Sequence, residues 1–389
     1  MTSSRRFTRG KDTVKASVVK EPVAPLRALG SHIFAGGFSI GVEQHFELLG
    51  HLERTNYGVK QWQHFRPNVP VFMNKTGAWT EASTYAGKVD FLYANPPCAP
   101  WSSTTAGYRR RQTESPLLEW TRDVFVLARA VQAPVVAIES VRGAVRNGAE
   151  YYRGLASEFG FKSLSWIFVN PYDCGLPQWR PRVFVVLSDA GAFVPQWSPS
   201  PPPDVVDVIA GVPDDEENKP VSSRSIYTGA KIPATEIMKT IPAIAQGVLM
   251  NQVSVERLRE YSDVVADRVD KMFPMHMLRR LVTGEPCPVV YALARYVHPI
   301  EDRLLTLREL MRVQGYPDDY HFGMDQALAL RMLGKTVCPP VGAWLAREVA
   351  AHLRGERDVR YVTEATFFCC SDAPRKPGTM RIDDFVDLT

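Results

Sequence analysis

One cysteine stands where a reactive side chain could work. Cys98 follows two prolines, and the apolar run 89–93 before them is typical of a buried strand. Because Pro96 and Pro97 cannot donate backbone hydrogen bonds, they end the strand and leave the thiol at the edge of a sheet. Open α/β sheets place their chemistry at such an edge. The stretch therefore indicates a cysteine nucleophile, with an inert loop cysteine as the alternative.

Other polar groups stand at strand ends or on loops. Glu139 ends an apolar strand predicted at 134–141, where a carboxylate is either an exposed cap or a buried acid with a raised pKa. The loop 104–111 closes on three arginines and suits contact with phosphates, although a solvated charged loop has the same pattern. Residues 34–43 form a glycine-rich turn that suits a nucleotide-like cofactor or serves only as a structural turn.

The elements that must hold these groups alternate between strands and helices. Strands are predicted at 29–34, near 54, at 89–93, 134–141 and 183–187, and helices at 42–49, at 116–130 and before 170. This alternation favours an α/β fold with a Rossmann-like, doubly wound and mostly parallel sheet. A capping-box pattern at Thr306 and Glu309 predicts a further helix, and a last helix is expected after 334–340.

Composition divides the chain and limits its class. We predict a flexible basic arm at 1–25, a cofactor-binding and catalytic domain at 26–190, a proline-rich linker with a smaller inserted domain at 191–299, a return to the catalytic domain at 300–356, and a tail at 357–389. The formal net charge of +4 permits a polyanionic partner. The sequence has no membrane-length apolar run. The six cysteines lack metal-ligand spacing, so we expect reduced thiols, no metal ion and a cytoplasmic protein.

Taken together and in order, the motifs resemble those of the DNA cytosine-5 methyltransferases. The resemblance covers about 30–190 and 276–350. The matching stretches are the turn from Phe34 (cofactor loop), Pro96-Pro97-Cys98 (nucleophile motif), Glu139-Ser140-Val141 (Glu-Asn-Val), Gln178 with Arg180 and Arg182 (Gln-x-Arg-x-Arg), 303–318, and 334–340 (Gly-Asn-Ser-Val). The resemblance implies that the inserted domain recognises the target sequence.

The resemblance also implies a covalent mechanism on a cytosine flipped out of double-stranded DNA. Cys98 would add to C6 and turn the ring into an enamine, while Glu139 would hold the N3 and amino edge and supply a proton. Arg182 would bind O2 of the base, and Arg180 would brace the site. The remaining implied DNA contacts are Ser102, Arg109, Arg110, Arg111 and Gln178.

The implied cofactor is S-adenosylmethionine, but its pocket departs from the family pattern. The residues that would line it are Phe34, Ala35, Gly36, Gly37, Phe38, Asn56, Pro96, Lys335 and Thr336. The loop is two residues short, and His32 replaces the acid before it. Asn56 aligns with the acid that binds the ribose, no acid appears near the adenine around 74–79, and Lys335 replaces an asparagine.

Lys335 leaves the transferred group open. An ammonium about 4 Å from the sulfonium would be repelled by about 4 kcal/mol at an effective dielectric constant near 20. The lysine is therefore turned to solvent or paired in a methyltransferase, or it binds the carboxylate of carboxy-S-adenosylmethionine in a carboxymethyltransferase. A catalytically silent DNA-binding homologue, an RNA-directed member and an amino-group methyltransferase are further alternatives. We expect a monomer on duplex DNA in a bacterial or phage-infected cell.

Overall fold

The structure is a computed structural model. It describes residues 24–56, 58–73, 80–102, 115–215, 218–219, 232–272, 277–323 and 325–370. The predictions for most of the basic arm, for Arg109, Arg110 and Arg111, and for 74–79 lie outside the described residues.

The described helices and strands are short and alternate along most of the chain. The strands are β1 Arg27–Ser31, β2 Glu47–Glu53, β3 Val71–Met73, β4 Phe91–Ala94, β5 Val135–Ser140, β6 Ser163–Val169, β7 Arg182–Ser188, β8 Ala192–Phe193, β9 Arg279–Arg280, β10 Tyr296–Val297, β11 Val359–Arg360 and β12 Glu364–Cys369. The helices are α1 Gly37–Val42, α2 Val59–Phe65, α3 Leu118–Val131, α4 Gly143–Glu158, α5 Val205–Ile209, α6 Ala234–Lys239, α7 Val255–Arg259, α8 Asp263–Ala266, α9 Leu307–Val313, α10 Gln326–Leu333 and α11 Pro339–Leu353.

Among the described residues, eight strands form one sheet in the order β12-β6-β7-β5-β4-β1-β2-β3. β7 is antiparallel to both of its neighbours, and the other pairs are parallel. This confirms the predicted α/β fold with a mostly parallel sheet. The carboxyl ends of β4, β5, β6 and β12 therefore meet at one edge, and the first residue of the reversed β7 lies at the same edge.

Both faces of the sheet are covered by helices, and the strand residues alternate between them. Val136 and Ile138 pack with α3 and α4 on one face, whereas Val135 and Ala137 pack with α1 and α11 on the other. A third apolar cluster joins the inserted helices α5 to α8 with α9 and α10. Because β5 is buried on both faces, a polar side chain at its end is held in a rigid setting.

Two predictions about elements need correction. The predicted helix at 42–49 is wrong, because the helix is Gly37–Val42 and residues 47–53 form β2 beside β1. Glu364–Cys369 lies in the predicted tail but pairs with β6 as an edge strand, since strand pairing is set by distant partners. The division into domains stays a prediction. The capping box is confirmed, because Thr306 accepts a hydrogen bond from the Glu309 amide at the start of α9.

The described residues can be compared with what a membrane span or a metal site requires. Over the ranges given above, the structure contains no helix with the length and apolar character needed to cross a membrane. Within the same ranges, no group of three or more His, Cys, Asp or Glu side chains is arranged to hold a metal ion.

Candidate active site

Cys98 lies on a tight turn that is anchored by the buried side chain of Trp101. β4 ends at Ala94, and Cys98 is the N-cap of a 3₁₀ turn, Ala99–Trp101, whose last amide donates to the Cys98 carbonyl at 3.0 Å. The Trp101 side chain is 1 % exposed and packs on α4. Gly143 and Gly148 make room for it: a Cβ at Gly143 would lie 1.9 Å from the Trp101 carbonyl oxygen. The turn is therefore clamped between the sheet and α4.

Glu139 lies on the neighbouring strand and is held by two partners. Its Oε1 is 3.0 Å from Arg182 Nε, and its Oε2 accepts a hydrogen bond of 2.5 Å from Asn95 Nδ2. The side chain is buried, and burial raises the pKa of Glu139, while Arg182 and Arg180 act in the opposite direction. The site therefore contains a carboxyl that is easier to protonate than an ordinary glutamate.

The Cys98 thiol shares this electrostatic environment. Burial and the Glu139 carboxylate raise the pKa of Cys98, whereas Arg182 and Arg180 lower it. All four predicted catalytic residues are thus brought to one end of the sheet. Arg182 reaches it because it is the first residue of the reversed strand β7.

Arg180 is buried and links separate backbone segments through hydrogen bonds. It is 2 % exposed, and its guanidinium donates to the carbonyl oxygens of Val290, Gly334 and Thr336 at 2.9–3.2 Å. Burial lowers the pKa of Arg180 to about 10. Two of these bonds hold the segment 334–336 against the sheet edge that carries Cys98, Glu139 and Arg182, which we call the catalytic edge. This contact agrees with a bracing role for Arg180.

The predicted cofactor loop docks against that same segment. Gly37 N donates to Thr336 Oγ1 at 3.2 Å, and a Cβ at Gly37 would lie 2.1 Å from the Val337 carbonyl oxygen. Lys335 Nζ lies 5.6 Å from the Phe34 ring centroid. Much of the Lys335 side chain is exposed, although partial desolvation lowers the pKa of Lys335 and Cys98 acts in the opposite direction. The structure thus places Lys335 beside the Phe34 ring of the predicted cofactor loop.

An acid stands at the end of the second strand, although the sequence pattern aligned Asn56 with this position. Glu53 is the last residue of β2 and is buried, and its Oε1 accepts a 2.9 Å hydrogen bond from Ile33 N. Burial raises the pKa of Glu53 to about 8. Asn56 lies three residues further on and is exposed. The predicted helix at 42–49 overlaps the first residues of β2 and shifted the expected strand toward residue 54. The observed end of β2 is the signal that identifies Glu53.

His32 lies directly after β1, where the family pattern has an acid before the cofactor loop. Its ring lies against Trp120 and is 3 % exposed, and burial lowers the pKa of His32 to about 3, so it is neutral at pH 7. Its Nε2 has no hydrogen-bond partner among the described residues. A carboxylate and an unsatisfied ring nitrogen at the ends of β2 and β1 suit the hydroxyl and amino groups of a nucleoside cofactor. The residues present therefore fit S-adenosylmethionine.

Two predicted DNA contacts have different placements. Gln178 is fully buried, and Cys338 Sγ approaches its Oε1 at 3.6 Å, so its side chain packs inside the protein instead of facing a duplex. The sequence motif that Gln178 shares with Arg180 and Arg182 did not indicate that its side chain is buried. Ser102 follows the Cys98 turn and is half-buried at the catalytic edge. Pro96 is buried in the elbow before Cys98.

Comparison with known proteins finds methyltransferases that are similar to this chain in sequence. The chain is 27 % identical over 335 residues to the type II methyltransferase M.PspPI of Psychrobacter sp. (strain TA137), covering 80 % of this chain and 75 % of the relative. It is 24 % identical over 330 residues to M.DdeI of Desulfomicrobium norvegicum, covering 74 % and 77 %.

Solved structures resemble the fold. The Entamoeba histolytica methyltransferase EhMeth superposes with a TM-score of 0.59 at 11 % identity, covering 85 % of this chain and 99 % of that chain. The S. pombe Dnmt2 methyltransferase gives 0.53 at 12 % identity, covering 84 % and 99 %. The chain thus has the α/β fold of these solved structures, with Cys98 placed just after the end of β4. The match of residues 33–351 to the family described as C-5 cytosine-specific DNA methylase shows that the chain belongs to that family.

Proposed function

We propose that this enzyme methylates C5 of cytosine in duplex DNA through covalent addition of Cys98 to C6 of a flipped base. The observation that carries the proposal is the cluster of Cys98, Glu139 and Arg182 at one sheet edge, with Glu139 Oε1 3.0 Å from Arg182 Nε. A nucleophile, an acid and a fixed cation are the groups that this reaction needs.

Each side chain has a distinct task. Cytosine C5 becomes nucleophilic only when the Cys98 thiolate adds to C6, and the arginines offset the raised pKa of that thiol. Glu139, with its own raised pKa, supplies a proton at N3 as the ring accepts charge. Arg182 binds O2 of the base. S-adenosylmethionine, when bound, supplies an electrophilic methyl group, and Glu53 would hold its ribose hydroxyls.

Trapping on 5-fluorocytosine tests the covalent step. Fluorine at C5 cannot leave as a cation, so release of Cys98 is blocked after group transfer. Long duplex DNA synthesised with 5-fluoro-dCTP offers every short sequence context. Together with S-adenosylmethionine it is expected to give an adduct whose Cys98 peptide carries the nucleotide. Cys98→Ser abolishes the adduct, while Cys370→Ser, which changes another half-buried thiol, preserves it. An adduct that survives in Cys98→Ser contradicts the mechanism.

A second candidate is transfer of a carboxymethyl group from carboxy-S-adenosylmethionine. The observation that favours it is the Lys335 ammonium, which lies 5.6 Å from the Phe34 ring of the predicted cofactor loop. Both donors would be supplied in competition, and the mass of the transferred group would be read from the adduct. Lys335→Asn is expected to shift the ratio toward methyl, and Lys162→Asn, at an exposed site, is the control. An unchanged ratio assigns Lys335 no role in donor choice.

Duplex DNA as substrate and a monomeric complex complete the proposal. The cluster of Cys98, Glu139 and Arg182 comes from one chain, so one copy suffices for the chemistry. Sedimentation of the chain on a duplex is expected to give one protein per site. Fluorocytosine RNA, tested in parallel, is expected to give no adduct, and an RNA adduct alone would assign the enzyme to RNA. The absence of an adduct on both nucleic acids favours the silent homologue.

A further inference from the structure

An asparagine beside Glu139 has no assigned role. β4 and β5 are parallel, and Ala94 pairs with Ile138, so the next residues, Asn95 and Glu139, are neighbours. Because strand residues alternate, both follow the face that carries Tyr93 and Ala137. Asn95 is 4 % exposed, and its Nδ2 donates to Glu139 Oε2 at 2.5 Å. The amide is therefore part of the catalytic edge.

The orientation of this amide leaves an acceptor without a donor. An ionised carboxylate only accepts hydrogen bonds, so the amide nitrogen must face Glu139 and Oδ1 must face away from it. Asn95 Oδ1 is buried and meets no donor in the described part of the chain. Buried carbonyl oxygens are nearly always paired in native proteins. An unpaired one beside the catalytic acid marks a place for a donor on the bound base.

We propose that Asn95 is a specificity-determining residue that accepts a hydrogen bond from the exocyclic amino group of the target cytosine. The inference rests on the proposed function. The amino group has two hydrogens, so one can bind Glu139 and the other Asn95 Oδ1. Uracil would set a carbonyl oxygen against Oδ1, and two acceptors repel each other. Asn95 therefore selects cytosine, and it also holds one Glu139 oxygen while Arg182 holds the other.

Equilibrium binding to base analogues tests this assignment. The duplex carries the sequence mapped by fluorocytosine trapping, with cytosine, 2-pyrimidinone or uracil at the target position. 2-Pyrimidinone has hydrogen in place of the amino group. All proteins carry Cys98→Ala, which prevents covalent capture. Affinities are measured by fluorescence anisotropy, and for each protein the affinity for the cytosine duplex is divided by the affinity for each analogue duplex. Because the cost of flipping each base is the same for every protein, it cancels when ratios are compared.

The Asn95 variants are expected to lose discrimination between cytosine and its analogues while they remain folded. Asn95→Ala lowers the cytosine preference by about tenfold or more relative to the parent, because the acceptor is gone. Asn95→Leu keeps the volume and tests the same loss if alanine unfolds the protein. Asn147→Ala, on an exposed asparagine of α4, leaves the preference unchanged.

Two failures are distinguishable. If the folded Asn95 variants keep the parental ratios while the fluorocytosine adduct forms on Cys98, the assignment of Asn95 is overturned and the proposed function stands. If the wild-type enzyme forms no adduct with fluorocytosine DNA, the proposed function is overturned, and the inference falls with it. Melting temperatures of every variant show that the ratios come from folded protein.

Discussion

Gly143→Ala is expected to shift the position of Cys98, although residue 143 makes no direct contact with the thiol. The added methyl group would lie 1.9 Å from the Trp101 carbonyl oxygen, about 1.5 Å closer than an ordinary contact of 3.4 Å. That oxygen belongs to backbone, so the turn must move, and it carries Cys98 through the 3.0 Å bond from Trp101 N. A misplacement of about 1 Å costs on the order of 100-fold in rate. We expect a similar fall in the rate of adduct formation.

A matched control lies on the same helix. Gly154 is also in α4, and a Cβ there meets no described atom within 4 Å. Gly154→Ala should therefore leave the rate unchanged and stabilise the helix by up to about 1 kcal/mol. Single-turnover trapping on fluorocytosine DNA gives the rates, and denaturant melts give the stabilities. If folded Gly143→Ala reacts within threefold of wild type, the argument that α4 positions Cys98 through Trp101 is refuted.

Three further predictions concern buried charges. Glu139→Gln should slow group transfer by about 100-fold or more, since it removes the proton donor, and a near-normal single-turnover rate would exclude that role. Arg180→Met should lower the free energy of unfolding in urea by about 1–3 kcal/mol, because two buried carbonyls and one part-buried carbonyl lose their donor. An unchanged unfolding midpoint would contradict the bracing role of Arg180. Glu53 has its pKa raised to about 8 in the fold, so its contribution to stability is complete below its unfolded pKa and is lost as pH rises toward 8. The cofactor-free wild type should therefore lose more stability between pH 5 and pH 8 than Glu53→Gln, whereas Glu47→Gln, at the exposed start of the same strand, should behave like wild type.

Local patterns made the catalytic half of the site predictable. A proline elbow after an apolar run, and a carboxylate that ends the next buried strand, are features of short segments. Cys98 and Glu139 were found in this way. Their closeness followed from the topology of parallel strands, which the alternation of elements indicated.

What the sequence did not reveal depends on distant partners. The burial of Gln178 depends on how it packs against Cys338, which lies 160 positions further along the chain. β12 forms because its backbone pairs with β6, and no local pattern distinguishes it from a tail. Glu53 was missed for a local reason: the predicted helix at 42–49 overlapped the first residues of β2, so the strand was expected near residue 54 and not at 47–53. The role of Asn95 appears only when its amide is seen beside Glu139.

The direction of β12 has a practical consequence for protein engineering. β12 is parallel to β6, so its last residue, Cys369, lies at the catalytic edge, whereas β1 begins at the opposite edge with Arg27. A reporter or affinity handle attached directly after residue 370 would start at the sheet edge that carries Cys98, where we propose that DNA binds, and would compete with it. The same handle placed before residue 24 would start from the opposite edge. Handles for tethering or imaging this enzyme should therefore be joined on the amino-terminal side.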